Sequence, residues 1–117
     1  MDRRRLGALG EREAERYLKE RGAMFLERNL RCPWGVIDLI ARMEGFLCFI
    51  EVKSRSTAAY GAPAWGVDRA KRRRILRTAQ WYLRGKGLEN QRVRFDVVEV
   101  TPQGVRHLPG AFEAREE

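Results

Sequence analysis

Two apolar runs, Gly35-Val36-Ile37-Asp38-Leu39-Ile40 and Phe49-Ile50-Glu51-Val52-Lys53, constrain this chain most. Both are rich in branched side chains, and Glu44-Gly45 between them is a tight-turn signal, so the segment reads as an antiparallel hairpin. With the turn placed symmetrically between Met43 and Phe46, partner numbers sum to a constant. Ile40 then faces Phe49, Asp38 faces Glu51 and Val36 faces Lys53. Side chains alternate faces with a period of two, which puts Asp38, Glu51 and Lys53 on one face. This register assumes a loop of two or four residues; a three-residue loop would slip it by one. Two carboxylates directly opposite each other repel. A chain that builds such a pair into apolar strands neutralises it, and a divalent cation is the natural agent.

The residue types suit that chemistry. Mg²⁺ takes hard oxygen ligands, commonly one or two carboxylates with water and substrate phosphate. Such an ion polarises a phosphoryl oxygen and lowers the pKa of bound water. A lysine two residues beyond the second acid, on the same face, can hold an attacking water or stabilise charge developing on phosphorus. In outline this is a phosphodiesterase constellation.

A chain of 117 residues fits one domain, with a core over 6–108 and a tail from Gly110 onward expected to fray. Net charge is +8 and pI about 10.3, supplied mostly by arginine, whose planar fork suits bidentate phosphate contacts. Composition therefore favours a nucleic-acid partner over a charge that serves solubility alone. Cys32 and Cys48 match no zinc spacing, and His107 is the single histidine. Cys48 reads as a buried, reduced core residue. No secretory apolar region follows the charged start, and no apolar run approaches membrane-spanning length, so the expected compartment is the cytoplasm, without membrane contact.

Along the chain, a helix is expected over 6–21 with Gly22 as its stop, and its apolar stripe runs through Leu6, Ala14, Tyr17 and Leu18. Glu11 lies on that stripe and so points inward. It reads as a third acid of the cluster or as a first-turn acid favoured by the helix dipole. Strands are expected over 23–29, 36–41 and 46–53, with Cys32-Pro33-Trp34-Gly35 as a turn and 54–66 as a loop containing Gly61 and Pro63. A second helix over 67–84 buries Ile75, Leu76, Ala79, Tyr82 and Leu83. Arg73, Arg77, Gln80 and Arg84 form another stripe, thickened by Lys71, Arg72 and Arg74. No acid interrupts the run from Arg69 to Arg84, which favours a phosphate-binding face over a merely solvated one. A strand over 93–100 follows, then a turn at Thr101-Pro102-Gln103-Gly104 and a short terminal strand through Leu108. Asp96 reads as an arginine partner, with a site role left open. Trp34 and Trp65 could stack on bases or pack.

This order of a helix with an acid, a strand, a strand with Asp, a strand with Glu-x-Lys, a helix and a strand resembles the PD-(D/E)xK nuclease superfamily. It is similar most of all to the bacterial YraN-type family of small proteins. The stretches that carry the resemblance are Leu9-Gly10-Glu11 with Ala14 and Tyr17-Leu18, Arg28-Asn29, and Ile37-Asp38-Leu39-Ile40. They continue with Phe49-Ile50-Glu51-Val52-Lys53 and Arg55, Gly61 and Pro63, Lys71, and Arg94-Phe95-Asp96-Val97-Val98. The resemblance implies an α/β, restriction-endonuclease-like αβββαβ core with a mixed central sheet flanked by helices. It also implies metal-dependent hydrolysis of phosphodiester bonds in DNA, branched or structured DNA among its substrates. Asp38 and Glu51 would bind Mg²⁺ or Mn²⁺ with the Val52 carbonyl, Lys53 would orient water, and Glu11 would complete the acidic cluster directly or through water. Arg55, Lys71, Arg72, Arg73, Arg74, Arg77 and Arg84 would meet nucleic acid, DNA ahead of RNA. Resolvases of this fold act as dimers, which leaves a homodimer open. One position departs from the pattern: Val36 stands where the family usually has glutamate, removing an acid that would face Lys53. The alternatives are a non-catalytic nucleic-acid-binding module on the same fold, or an interaction domain whose buried acids pair with arginines.

Overall fold

The expected hairpin forms the centre of the molecule. In the computed structural model, which describes residues 3–55 and 69–112, β2 (Gly35–Met43) and β3 (Phe46–Ser54) pair antiparallel. Glu44 and Gly45 both take positive φ, 54° and 82°, as a two-residue turn matched to strand twist demands. The register is the expected one at Ile40↔Phe49. It runs only to Leu39↔Ile50, however, so the anticipated pairs Asp38/Glu51 and Val36/Lys53 are not part of the ladder.

β1 (Met24–Cys32) pairs antiparallel with β2, and the chain continues through α2 (Arg69–Lys86) to β4 (Val93–Thr101), which lies parallel to β3. β5 (Gly104–Phe112) closes the sheet on the other edge, giving the order β1-β2-β3-β4-β5. The described residues therefore make a mixed α/β fold, five strands with α1 (Arg3–Glu20) and α2. Each helix covers its own face. Ala14 and Leu18 of α1 pack with Leu39, Ala41, Cys48, Ile50 and Val98. Ile75, Leu76, Ala79 and Tyr82 of α2 pack with Ile37, Ile40, Leu47, Phe49, Phe95 and Val97. Burying each large apolar side chain contributes about 1.5–3 kcal/mol, and these two clusters hold the layers together.

Two boundaries correct the sequence reading. β1 passes through Asn29, which takes φ 51°, and runs on to Cys32. The residues from Gly110 do not all fray: β5 reaches Phe112, whose ring stacks on Phe95 at 5.1 Å, and the core accordingly extends past Leu108. Cross-strand pairing and aromatic burial outweigh the weak strand propensity of Pro109-Gly110 there. Cys48 is free and fully buried, and burial, then the Asp96 charge, pushes its thiol up to about 12. No helix among the described residues is long and apolar enough to cross a membrane.

Candidate active site

The alternation of β2 breaks at Asp38. Leu39, Ala41 and Met43 belong to the α1 cluster, yet Ile37, two residues before Leu39, joins Ile40 in the α2 cluster. On β1, the left-handed Asn29 falls between the pairs Arg28↔Leu39 and Leu30↔Ile37, opposite the same point. Distortion of this kind in a non-glycine residue persists only where surrounding structure holds it, and it recurs at functional sites. Here it frees Asp38 from the ladder. The half-buried Asp38 carboxylate accepts the Val52 amide N–H at 2.7 Å, so a side chain takes the place of the missing backbone partner.

Glu51 continues the inward face of β3 begun by Leu47 and Phe49, and only 5% of it is exposed. Its Oε2 meets Lys71 Nζ of α2 at 3.2 Å. Its Oε1 is buried and accepts no hydrogen bond from any of the described residues. Burial pushes the Glu51 carboxyl up to about 7, with the neighbouring Asp38 charge adding to the shift and Lys71 and Lys53 opposing it. Asp38 is also raised, by burial first and then against the Val52 hydrogen bond, with Glu11 pushing it further up. Five groups therefore feel one another: Glu11 from α1, Asp38 from β2, Glu51 and Lys53 from β3, and Lys71 from α2.

The donor set fits a hard divalent cation. Two carboxylates whose charges are disfavoured, one with an oxygen left without a partner, would be relieved by an ion accepting both. Among the described residues no three acidic, imidazole or thiol groups form a ready-made cage, so Glu11 acts on Asp38 through space and not as part of one.

Residues 10–100 match the family described as "Uncharacterised protein family UPF0102". A UPF0102 protein of Syntrophotalea carbinolica is 45% identical over 92% of this chain and 91% of its own length. Another, from Myxococcus xanthus, is 40% identical over 97% of this chain and 93% of its own. The chain belongs to the UPF0102 family. The matched span of this UPF0102 chain contains every group of the acidic cluster, from Glu11 to Lys71.

The remaining expected site residues divide. Arg73, Arg74, Arg77 and Arg84 are exposed along α2, with Arg72 half-buried beside them. Lys71, expected on the phosphate-binding face, instead reaches into the acidic cluster. Arg55 forms an ion pair with Glu99 at 3.6 Å. Gly61, Pro63 and Trp65 lie outside the described residues. Asp96 is an arginine partner as expected, and it does not join the cluster. Fully buried, it accepts hydrogen bonds from Arg94 Nε and Nη2 at 2.9 Å each and from the Gly110 amide at 3.0 Å, and it contacts His107 Nε2 at 2.7 Å.

Two features escaped the sequence reading. Gly10 is buried against the end of β3: a Cβ there would come within 1.6 Å of Ser54 Oγ and 2.8 Å of Ser54 Cβ. This close approach is what brings Glu11, the next residue, up to the acids. The other is Trp81, 44% exposed on α2. Its spacing of four from Arg77 and three from Arg84 places a large ring on the basic stripe, and that spacing was the available signal.

Proposed function

We propose that this UPF0102 chain is a metal-dependent endonuclease of the PD-(D/E)xK type, with a restriction-endonuclease-like core, that hydrolyses phosphodiester bonds in DNA. The observation that carries the proposal is the meeting of Asp38 and Glu51 at the distorted end of the β2–β3 hairpin, with Glu51 Oε1 buried and without a hydrogen-bond partner among the described residues. Ordinary structural acids are fully hydrogen-bonded when buried. A buried acid pair whose carboxyls are both raised is a functional-site signature.

The roles follow from position. Asp38, Glu51 and the Val52 carbonyl would hold Mg²⁺ or Mn²⁺, which when bound supplies a Lewis acid and an acidified water. Lys53, two residues from Glu51 on the same strand, orients water or balances charge on phosphorus. Lys71 screens the Glu51 carboxylate and keeps it ionisable. Glu11 adds negative potential that raises the affinity of the pair for a cation. The exposed arginines of α2 neutralise phosphates, contacts that position DNA without reading its sequence.

The test is cleavage of labelled duplex, single-stranded and four-way-junction DNA, with Mg²⁺ or Mn²⁺ and with chelator. Wild type is expected to cut only with the metal. Asp38→Asn and Glu51→Gln are each expected to lower the rate at least ~10²- to 10³-fold, the scale of removing one preorganised electrostatic group. Cutting that survives chelator or both substitutions overturns the proposal. Binding without cutting on every substrate would favour a non-catalytic nucleic-acid-binding module, a reading supported by the exposed Val36 where an acid would add a further ligand.

A further inference from the structure

The turn between β1 and β2 faces α2 across a groove made of two adjoining hollows. One, of about 220 Å³, has Trp34, Val36, Lys71 and Arg74 in its walls. The other, of about 510 Å³, has Trp34, Arg77, Trp81 and Arg84. Trp34 lines both hollows, and Lys71, whose ammonium meets Glu51, lines the smaller one. Among the described residues no acid lines either hollow, and Lys71, Arg74, Arg77 and Arg84 make the lining strongly basic. An occupant is therefore anionic, and it must also present flat apolar faces to two indoles.

Duplex DNA meets the first requirement and fails the second, because its base faces are stacked on one another. A single strand meets both: its phosphates pair with arginine and its unstacked bases lie on aromatic rings. We propose that this groove binds a single-stranded nucleic-acid segment, with bases against Trp34 and Trp81 and phosphates against Arg74, Arg77 and Arg84. It leads the strand toward Lys71 and Glu51. The direction of travel rests on the nuclease reading of the acidic site; the binding does not. From Lys71 to Arg84 the helix spans about 20 Å, room for a short run of nucleotides.

The test is tryptophan fluorescence in chelator, with Trp65→Phe as background so that Trp34 and Trp81 alone report. The probes are oligo-dT, oligo-rU and a blunt duplex of equal length. We expect at least one single strand to quench the emission and to bind about tenfold tighter than the duplex; which one binds tighter identifies DNA or RNA as the source. Trp81→Ala should weaken single-strand binding about tenfold at unchanged salt dependence, and Trp81→Phe should restore most of the loss. Arg77→Ala should reduce the salt slope by about 0.7. Duplex binding as tight as single-strand binding, or a Trp81→Ala variant that binds like wild type, overturns the groove. Single-strand binding by a chain that never cleaves overturns the nuclease reading alone. Metal-dependent single-strand cleavage untouched by Trp81→Ala overturns the groove alone.

Discussion

Glu51 on β3 and Asp96 on β4 are buried acids on neighbouring parallel strands, and the molecule treats them in opposite ways. Burial alone raises both carboxyls. At Asp96 that effect is outweighed by His107, Arg94 and the Gly110 amide, which together hold the carboxyl below the usual range. Around Glu51 burial is opposed by Lys71 and Lys53, one oxygen finds no hydrogen bond among the described residues, and Asp38 stands nearby, so the carboxyl rises to about 7. A satisfied buried acid anchors a fold. An unsatisfied one beside another acid stores electrostatic free energy that a cation can release. The difference sets the two acids apart better than burial or position in a strand does.

That comparison can be broken most directly at Asp96. Asp96→Ala leaves Arg94, whose side chain is 12% exposed, without its main partner. Removing one member of a buried pair costs about 3–5 kcal/mol. Urea unfolding should show a loss of that size, and a loss under ~1 kcal/mol would mean the network contributes little.

At Glu51 the sign reverses. Between the ordinary value of 4.5 and about 7, the folded chain keeps a proton that the unfolded chain has released. Stability of the metal-free protein therefore falls as pH rises through that window, by up to roughly 3 kcal/mol for a shift of this size. Glu51→Gln removes the penalty. It should raise the urea midpoint at pH 8 and leave little difference near pH 4. Adding Mn²⁺ at pH 8 should stabilise wild type and not the variant, since binding to the folded state alone shifts unfolding. A variant less stable than wild type at pH 8 would place Glu51 with Asp96 as a structural acid.

The smallest effect sharpens how α1 delivers Glu11. In a helix interior alanine is favoured over glycine by about 1 kcal/mol. Gly10→Ala should nevertheless destabilise by about 1–3 kcal/mol, because its Cβ would overlap Ser54. Adding Ser54→Gly should recover part of the loss in the same denaturation assay. A stabilised Gly10→Ala would show that the helix can stand further from the sheet.

Much of the fold and the core of the candidate site were legible in the residues. The Glu44-Gly45 turn, the Ile40–Phe49 register and the inward stripe of α2 follow from local rules of two- and 3.6-residue periodicity. Asp38, Glu51 and Lys53 stood out because charge in an apolar strand is costly and so carries meaning. Less legible was the break in alternation at Asp38, which depends on Asn29 across the sheet. The length of β5 also escaped, since Phe112 finds its place only once Phe95 is there to stack on.

From the sequence alone, then, came the hairpin, the basic helix and the acids that share a strand pair, because near-neighbour geometry decides them. Tertiary structure decided that Lys71 turns from the basic face into the acidic cluster, that Gly10 lets Glu11 approach, and that Trp34 and Trp81 border one groove. Each of these joins elements distant in the chain. Periodicity states which face a residue occupies; only the packing of helix on sheet states what that face meets.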